Sequence, residues 1–220
     1  PATMSVDGKA FKNYDGYPSS ALGSIPLSEA VAQSCNTVFL KGASKVKAPA
    51  LADAAASLGL NMSPATGAAS FLGSVPEDST GTELAANGIG QGVVQASALG
   101  MATVAASVQN GATVSPRLVV DPKPDAAAKP KNPLTAAEAK ALSGMMAQVV
   151  DHGTLKDLKS VPGPAIIGKS GTAEYDAERN AHAWSIAAQG DLAVAVFVGD
   201  GSGGAQTAGP ILAEFLADAQ

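Results

Sequence analysis

The 220-residue chain has one cysteine, Cys35, so no internal disulfide can staple its fold, and the count leaves the redox compartment open. Its two histidines, His152 and His182, have no cysteine or carboxylate at metal-ligand spacing around them, which argues against a metal site. Basic residues are outnumbered, with 14 Lys and Arg against 19 Asp and Glu, and a net charge of −5 excludes broad attraction to a phosphate backbone. No nucleic-acid partner is expected. No apolar run reaches bilayer length, and Pro1 opens without the basic and apolar regions of a signal peptide. Any membrane attachment is therefore expected through an anchor of the parent protein outside this chain. Aromatic residues make up 4%, so the core must be built from Ala, Val, Leu and Ile at close approach.

What is present is a hydrophobic content of 46%, enough for a substantial core. Residues 1–24 mix Gly, Pro, Asn, Asp and Ser without a sustained period and read as irregular chain with one short hairpin. A helix starts at Ser28-Glu29-Ala30-Val31-Ala32-Gln33, and a second apolar stretch, Val38-Phe39-Leu40, follows the polar triplet Ser34-Cys35-Asn36. Helical spacing runs over 49–58, capped by Gly59, and over 97–109, stopped by Asn110-Gly111. Residues 121–133 are rich in Pro, Lys, Asp and Ala and read as a solvated loop. Thr135-Ala136-Ala137-Glu138 is a capping-box pattern opening an amphipathic helix to Asp151. Three strand-like segments follow at 165–174, 183–189 and 192–200, the last two joined by the turn Gln189-Gly190-Asp191. An apolar helix over 208–217 closes the chain. The expected organisation is one domain over 1–220, with a mainly helical sublobe at 1–134 and a helix-plus-sheet sublobe at 135–220.

Two short segments could carry chemistry. Gly168-Lys169-Ser170-Gly171-Thr172-Ala173-Glu174 ends an apolar strand, where alternation puts Ser170 and Thr172 on one face beside the Lys169 cation, an arrangement suited to a carboxylate. Gly171 between them leaves the opposite face without a side chain, so a peptide could lie along an uncovered edge as an added strand. Ser34-Cys35-Asn36 interrupts two apolar stretches and offers a hydroxyl and an amide to a shared cleft, with Cys35 facing away; taken singly, it also fits an interhelical turn. The glycine-rich Gly88-Ile89-Gly90-Gln91-Gly92 lacks the lysine and helix of a phosphate loop, so nucleotide binding is not expected.

Taken in order, Ser28 to Thr37, Gly88 to Gly92, Val150-Asp151-His152-Gly153-Thr154 and Gly168 to Glu174 resemble the transpeptidase domain of a class B penicillin-binding protein. The resemblance spans nearly the whole chain. Penicillin-binding proteins and serine β-lactamases share the motifs Ser-x-x-Lys, Ser-Asp-Asn and Lys-Thr-Gly. Variants of two are present, Ser34-Cys35-Asn36 and Lys169-Ser170-Gly171. The fold this implies is α+β, penicillin-binding-protein/serine β-lactamase-like, with an antiparallel sheet flanked by helices and a mainly helical lobe. Ser34 would belong to the proton-relay network, Asn36 would bond the substrate amide, and Lys169 would supply charge. Ser170, Gly171 and Thr172 would form the strand that binds the terminal carboxylate of a D-alanyl-D-alanine stem peptide or of a β-lactam. The backbone N–H of Thr172 would be one oxyanion donor.

The departure from the family lies at the nucleophile. The chain reads as free of any Ser-x-x-Lys or Thr-x-x-Lys, the motif in which the family carries its acyl-accepting serine ahead of the Ser-x-Asn segment. The expectation is a chain without that motif, lacking the nucleophile helix and first strands, inactive alone and dependent on the missing N-terminal segment of the same protein. For the intact parent the resemblance implies a cofactor-free, extracytoplasmic D,D-transpeptidase cross-linking peptidoglycan. A β-lactam-sensing or peptidoglycan-binding module and a catalytically dead scaffold are the alternatives. An upstream Ser-x-x-Lys would favour enzyme or sensor over scaffold.

Overall fold

The computed structural model describes residues 1–121, 124, 126–175 and 181–219. Its sequence opens with a hairpin, β1 (Thr3–Val6) and β2 (Lys9–Lys12), paired antiparallel with Thr3 opposite Lys12. Helices α1 (Leu27–Ala32), α2 (Asn36–Ala43) and α3 (Ala48–Ser57) follow. The chain continues with β3 (Gly73–Ser74), α4 (Gly81–Asn87), β4 (Gln95–Ala96) and α5 (Ala98–Asn110). After the loop come α6 (Ala136–Asp151), the strands β5 (Ile166–Glu174), β6 (Ala181–Gln189) and β7 (Leu192–Gly201), and α7 (Gly209–Asp218). The expected hairpin, the helices flanking the polar triplet and all three long strands are present. The two-residue pair β3–β4 and the short α4 were not expected, because neither is long enough to show a period. Part of the expected solvated loop at 121–133 lies outside the described residues.

Local signals explain the main boundaries. Thr135 Oγ1 accepts from the Glu138 N–H at 3.3 Å, and the Glu138 carboxylate accepts from the Thr135 N–H at 3.0 Å, so α6 starts with both halves of a capping box. α5 starts under Ser97, whose hydroxyl accepts from the Gly100 N–H, and stops at Gly111, which takes the left-handed φ of 77° that glycine adopts without a Cβ penalty.

Strands β5, β6 and β7 form a three-stranded antiparallel sheet in that order, with Ser170 opposite Ser185 and Thr172 opposite Ala183. Successive side chains alternate between faces. Ile167, Ile186 and Ala188 pack with Ala105 and Val108 of α5 and Met146 of α6, while Ile166 and Ala187 pack with Leu212 and Leu216 of α7. The sheet is thus sandwiched by helices, the α+β arrangement expected from sequence. Both β5 and β7 are edge strands within it, and β7 leaves Phe197 45% exposed. α6 packs against both β5 and α1, which brings the sequence-distant ends of α1 and β5 together. Among the described residues, no helix is long and apolar enough to cross a membrane.

Candidate active site

The junction between α1 and α2 is a tight, strained turn. Gln33 N–H donates to the Glu29 carbonyl and Cys35 N–H to the Ala30 carbonyl, and this wrapping forces Ser34 to φ 55°. A left-handed serine costs on the order of 1 kcal/mol, and the turn is held from both sides. Cys35 points inward at 2% exposure, with Sγ 3.4 Å from Thr37 Oγ1. Ser34 and Asn36 both line the same cleft.

The facing wall is β5. Lys169 reaches across with its Nζ donating to Ser34 Oγ at 2.7 Å and to the Ser170 carbonyl at 2.7 Å. Among the described residues no carboxylate pairs with it, and burial pushes its pKa from the ordinary 10.5 down to about 8. Ser170 and Thr172 share a face and both line the cleft, Ser170 buried and Thr172 exposed. Thr172 Oγ1 accepts from the Gly204 N–H at 3.0 Å, and Ser170 Oγ lies 2.7 Å from Thr154 Oγ1.

The cleft encloses about 570 Å³. Its remaining boundary comes from Tyr14-Asp15-Gly16 after the first hairpin, from His152-Gly153-Thr154 and from the turn Ser202 to Gln206. Asn36 anchors its end by donating from Nδ2 to the Lys12 carbonyl at 3.0 Å. That donor is committed to the fold, and Oδ1 is the end available to an incoming amide N–H.

The sheet also needs a glycine at a position the sequence did not single out. A Cβ on Gly171 would meet Trp184 Cβ at an ordinary 3.4 Å, whereas one on Gly204 would collide with the backbone of Gly171 and Trp184. Gly204 opens a π-helical turn, Gly204–Ala208, that seats directly on the sheet and brings its N–H to Thr172. Sequence reasoning weighed His152 only as a metal ligand and as part of the segment Val150 to Thr154. It sits on the cleft rim with Nε2 2.9 Å from Glu29 Oε2 and Nδ1 3.4 Å from Asp151 Oδ2. The Glu29 carboxylate, then Asp151, holds the imidazole above its usual pKa, and His152 holds Glu29 below its own. Gly153 packs on the Ala32 carbonyl and Thr154 N–H donates to it at 3.1 Å, so 152–154 clasp the end of α1.

One expectation needs correction. The spacing Ser-x-x-Lys does occur once, at Ser44-Lys45-Val46-Lys47. Ser44 caps the C-terminus of α2 with its exposed hydroxyl on the Lys41 carbonyl at 2.8 Å, Lys47 precedes α3, and no residue of the four lines the cleft. The spacing here is a helix-end coincidence.

Residues 3–217 match the family model described as penicillin binding protein transpeptidase domain. The chain belongs to this family. It is similar to the peptidoglycan D,D-transpeptidase PbpA of Mycobacterium tuberculosis, 31% identical over 220 aligned positions that cover 92% of this chain and 44% of that protein. The Mycolicibacterium smegmatis PbpA is 32% identical, covering 97% and 47%. The chain thus spans about half the length of these curated relatives. Among solved structures, PBPA from Mycobacterium tuberculosis superposes with a TM-score of 0.81 at 27% identity, covering 100% of this chain and 55% of the other. Its imipenem acyl-enzyme complex gives 0.80 at 28% identity, covering 100% and 54%. These neighbours bear out the penicillin-binding-protein fold and the class B resemblance of the sequence motifs.

Proposed function

We propose that this chain is a partial transpeptidase domain that supplies the substrate-binding and proton-relay groups of an extracytoplasmic D,D-transpeptidase, with the nucleophilic serine coming from residues outside 1–220. The observation that carries the reading is the Lys169 Nζ to Ser34 Oγ contact at 2.7 Å, since Ser34 lines the cleft together with Ser170, Thr172 and Asn36. Relatives named as peptidoglycan D,D-transpeptidases and an imipenem acyl-enzyme among the structural neighbours support it.

In this reading the substrate is a peptidoglycan stem peptide ending in D-alanyl-D-alanine. Its terminal carboxylate docks on the hydroxyls of Ser170 and Thr172 within the field of Lys169, along the narrow strand at Gly171. The serine oxygen attacks the penultimate carbonyl. The Thr172 N–H donates to the oxyanion, a contact of a kind that contributes about 3 kcal/mol. The serine proton passes through the Ser34 and Lys169 network to the departing amine of D-alanine, leaving an ester. An amine of a second stem peptide attacks that ester, loses a proton and releases the serine. Asn36 Oδ1 accepts from a substrate amide. A β-lactam enters the same cleft and leaves a stable acyl group.

The test is labelling of the full-length protein by a fluorescent penicillin, with Lys169→Ala and Ser34→Ala compared at equal folded concentration. Wild type takes the label, both variants lose most of it, and the isolated chain 1–220 takes none. An unlabelled wild type would remove the enzyme reading, and a labelled serine inside 1–220 would contradict the external nucleophile.

A further inference from the structure

Resting on the transpeptidase reading, we infer that Thr154 is a positioning residue that sets the direction of the Ser170 hydroxyl proton and makes Ser170 a donor to an anionic ligand. A hydroxyl carries one proton, and a carboxylate can only accept. A hydroxyl of the anion site that is hydrogen-bonded to the protein must therefore be the acceptor in that bond if its own proton is to face the cleft. Thr172 meets this condition, because the Gly204 N–H can only donate to its Oγ1. Ser34 meets it through the Lys169 ammonium.

Ser170 is 8% exposed and its Oγ lies 2.7 Å from Thr154 Oγ1, a pair in which either oxygen is able to donate. Were Ser170 to donate to Thr154, it would turn a lone pair toward the carboxylate and repel it. With Thr154 donating, the Ser170 proton points into the cleft, and the two bonds in series reinforce one another. Lys169 does not replace Thr154, since its contacts go to Ser34 Oγ and the Ser170 carbonyl. The Thr154 oxygen is also fixed in space: its backbone N–H is bonded to the Ala32 carbonyl at 3.1 Å, and the preceding Gly153 is packed on that same carbonyl. Thr154 belongs to neither of the motifs that identify the cleft, yet one residue ties the end of α1 to the anion-binding strand.

The test measures acylation of the full-length protein by benzylpenicillin and by its methyl ester, which keeps the ring and removes the negative charge. Wild type, Ser170→Ala, Thr154→Val and Thr154→Ser are compared. With the free acid, Ser170→Ala lowers the second-order acylation constant by about 10- to 100-fold, the range of a hydrogen bond to a charged group, and Thr154→Val, which keeps the Ser170 hydroxyl but loses its orientation and reinforcement, lowers it by a smaller factor of about 3- to 10-fold. Thr154→Ser stays close to wild type, and with the methyl ester, whose carbonyl is only a neutral acceptor, the losses in Ser170→Ala and Thr154→Val shrink to a few-fold. Equal losses with acid and ester in Thr154→Val would mean a scaffolding role and overturn the inference. A loss in Ser170→Ala with a wild-type rate in Thr154→Val would also overturn it, while leaving the anion site standing. Wild-type rates for both variants with the acid would sink the anion-site reading beneath it. Should Thr154→Val fail to fold, as read by thermal unfolding, Thr154→Ala makes the same comparison.

Discussion

Lys169 Nζ rests 2.7 Å from Ser34 Oγ although 135 positions separate the two residues in sequence. The contact joins the turn after α1 to β5, and it does so with a partly buried lysine whose cation has no counter-charge among the described residues. A desolvated charge held by neutral acceptors is a poor device for stability. Lys169→Met is therefore expected to leave the midpoint of thermal unfolding at neutral pH unchanged or raised, while penicillin labelling of the full-length protein falls by about 100-fold or more. A strongly lowered midpoint would show that the lysine holds the fold.

The same burial predicts a pH dependence. Because the folded pKa of Lys169 is pushed from 10.5 down to about 8, the unfolded chain binds more protons than the native one between those values. Stability contributed by this group therefore rises with pH across that window, by roughly 3 kcal/mol at most, and the penalty is fully present below it. Urea unfolding at about pH 7 and about pH 10 checks this, with Lys169→Met removing the group from the difference. Identical pH slopes in wild type and variant would contradict it.

Much of this site was legible in the sequence, for identifiable reasons. β5 shows its apolar run followed by Lys169, Ser170 and Thr172, and strand alternation alone predicts that the two hydroxyls share a face. The triplet at Ser34 stands out because polar residues interrupt two apolar stretches. Thr135 and Glu138 announce α6 through a local interaction three residues long. What was hidden depends on long-range approach. The clasp of Thr154 on Ala32 and the ion pair of His152 with Glu29 join segments 122 and 123 residues apart (154 − 32 and 152 − 29), and no period connects them. The close approach at Gly204 was hidden as well, since it is set by a turn lying on the sheet. Ser44-Lys45-Val46-Lys47 shows the converse: a chemically suggestive spacing can be only a helix end.

The His152 and Glu29 pair should be visible as a pH-dependent contribution of opposite sign to that of Lys169. His152 gains its raised pKa first from Glu29 and then from Asp151, itself paired with Lys159 at 2.6 Å. A raised histidine contributes stability that is fully present below its ordinary value and disappears as pH rises through the folded value. Glu29, held low by His152, contributes above its ordinary value and loses that contribution in acid. Both side chains are partly exposed, so the effect is small and screened by salt. The difference in thermal midpoint between wild type and Glu29→Gln is expected to be larger at about pH 6 than at about pH 8.5. A difference independent of pH would mean that the contact acts through packing alone.

Two glycines separate local propensity from close approach. Gly144 lies exposed in the middle of α6, and a Cβ there meets nothing within 4 Å. Gly144→Ala should stabilise the protein by about 0.5–1 kcal/mol through helix propensity. A Cβ on Gly153 would instead collide with the Ala32 carbonyl and meet Val149 Cα at 2.9 Å, all of it backbone that cannot rotate away. Gly153→Ala should cost about 2 kcal/mol or more. It should also push the end of α1 off Thr154, breaking the bond to the Ala32 carbonyl and shifting Ser34 relative to Lys169. Penicillin labelling is then expected to drop further than the loss of folded protein explains. If labelling per folded molecule were unchanged in Gly153→Ala, the geometry of the Ser34 turn would not depend on the 152–154 clasp.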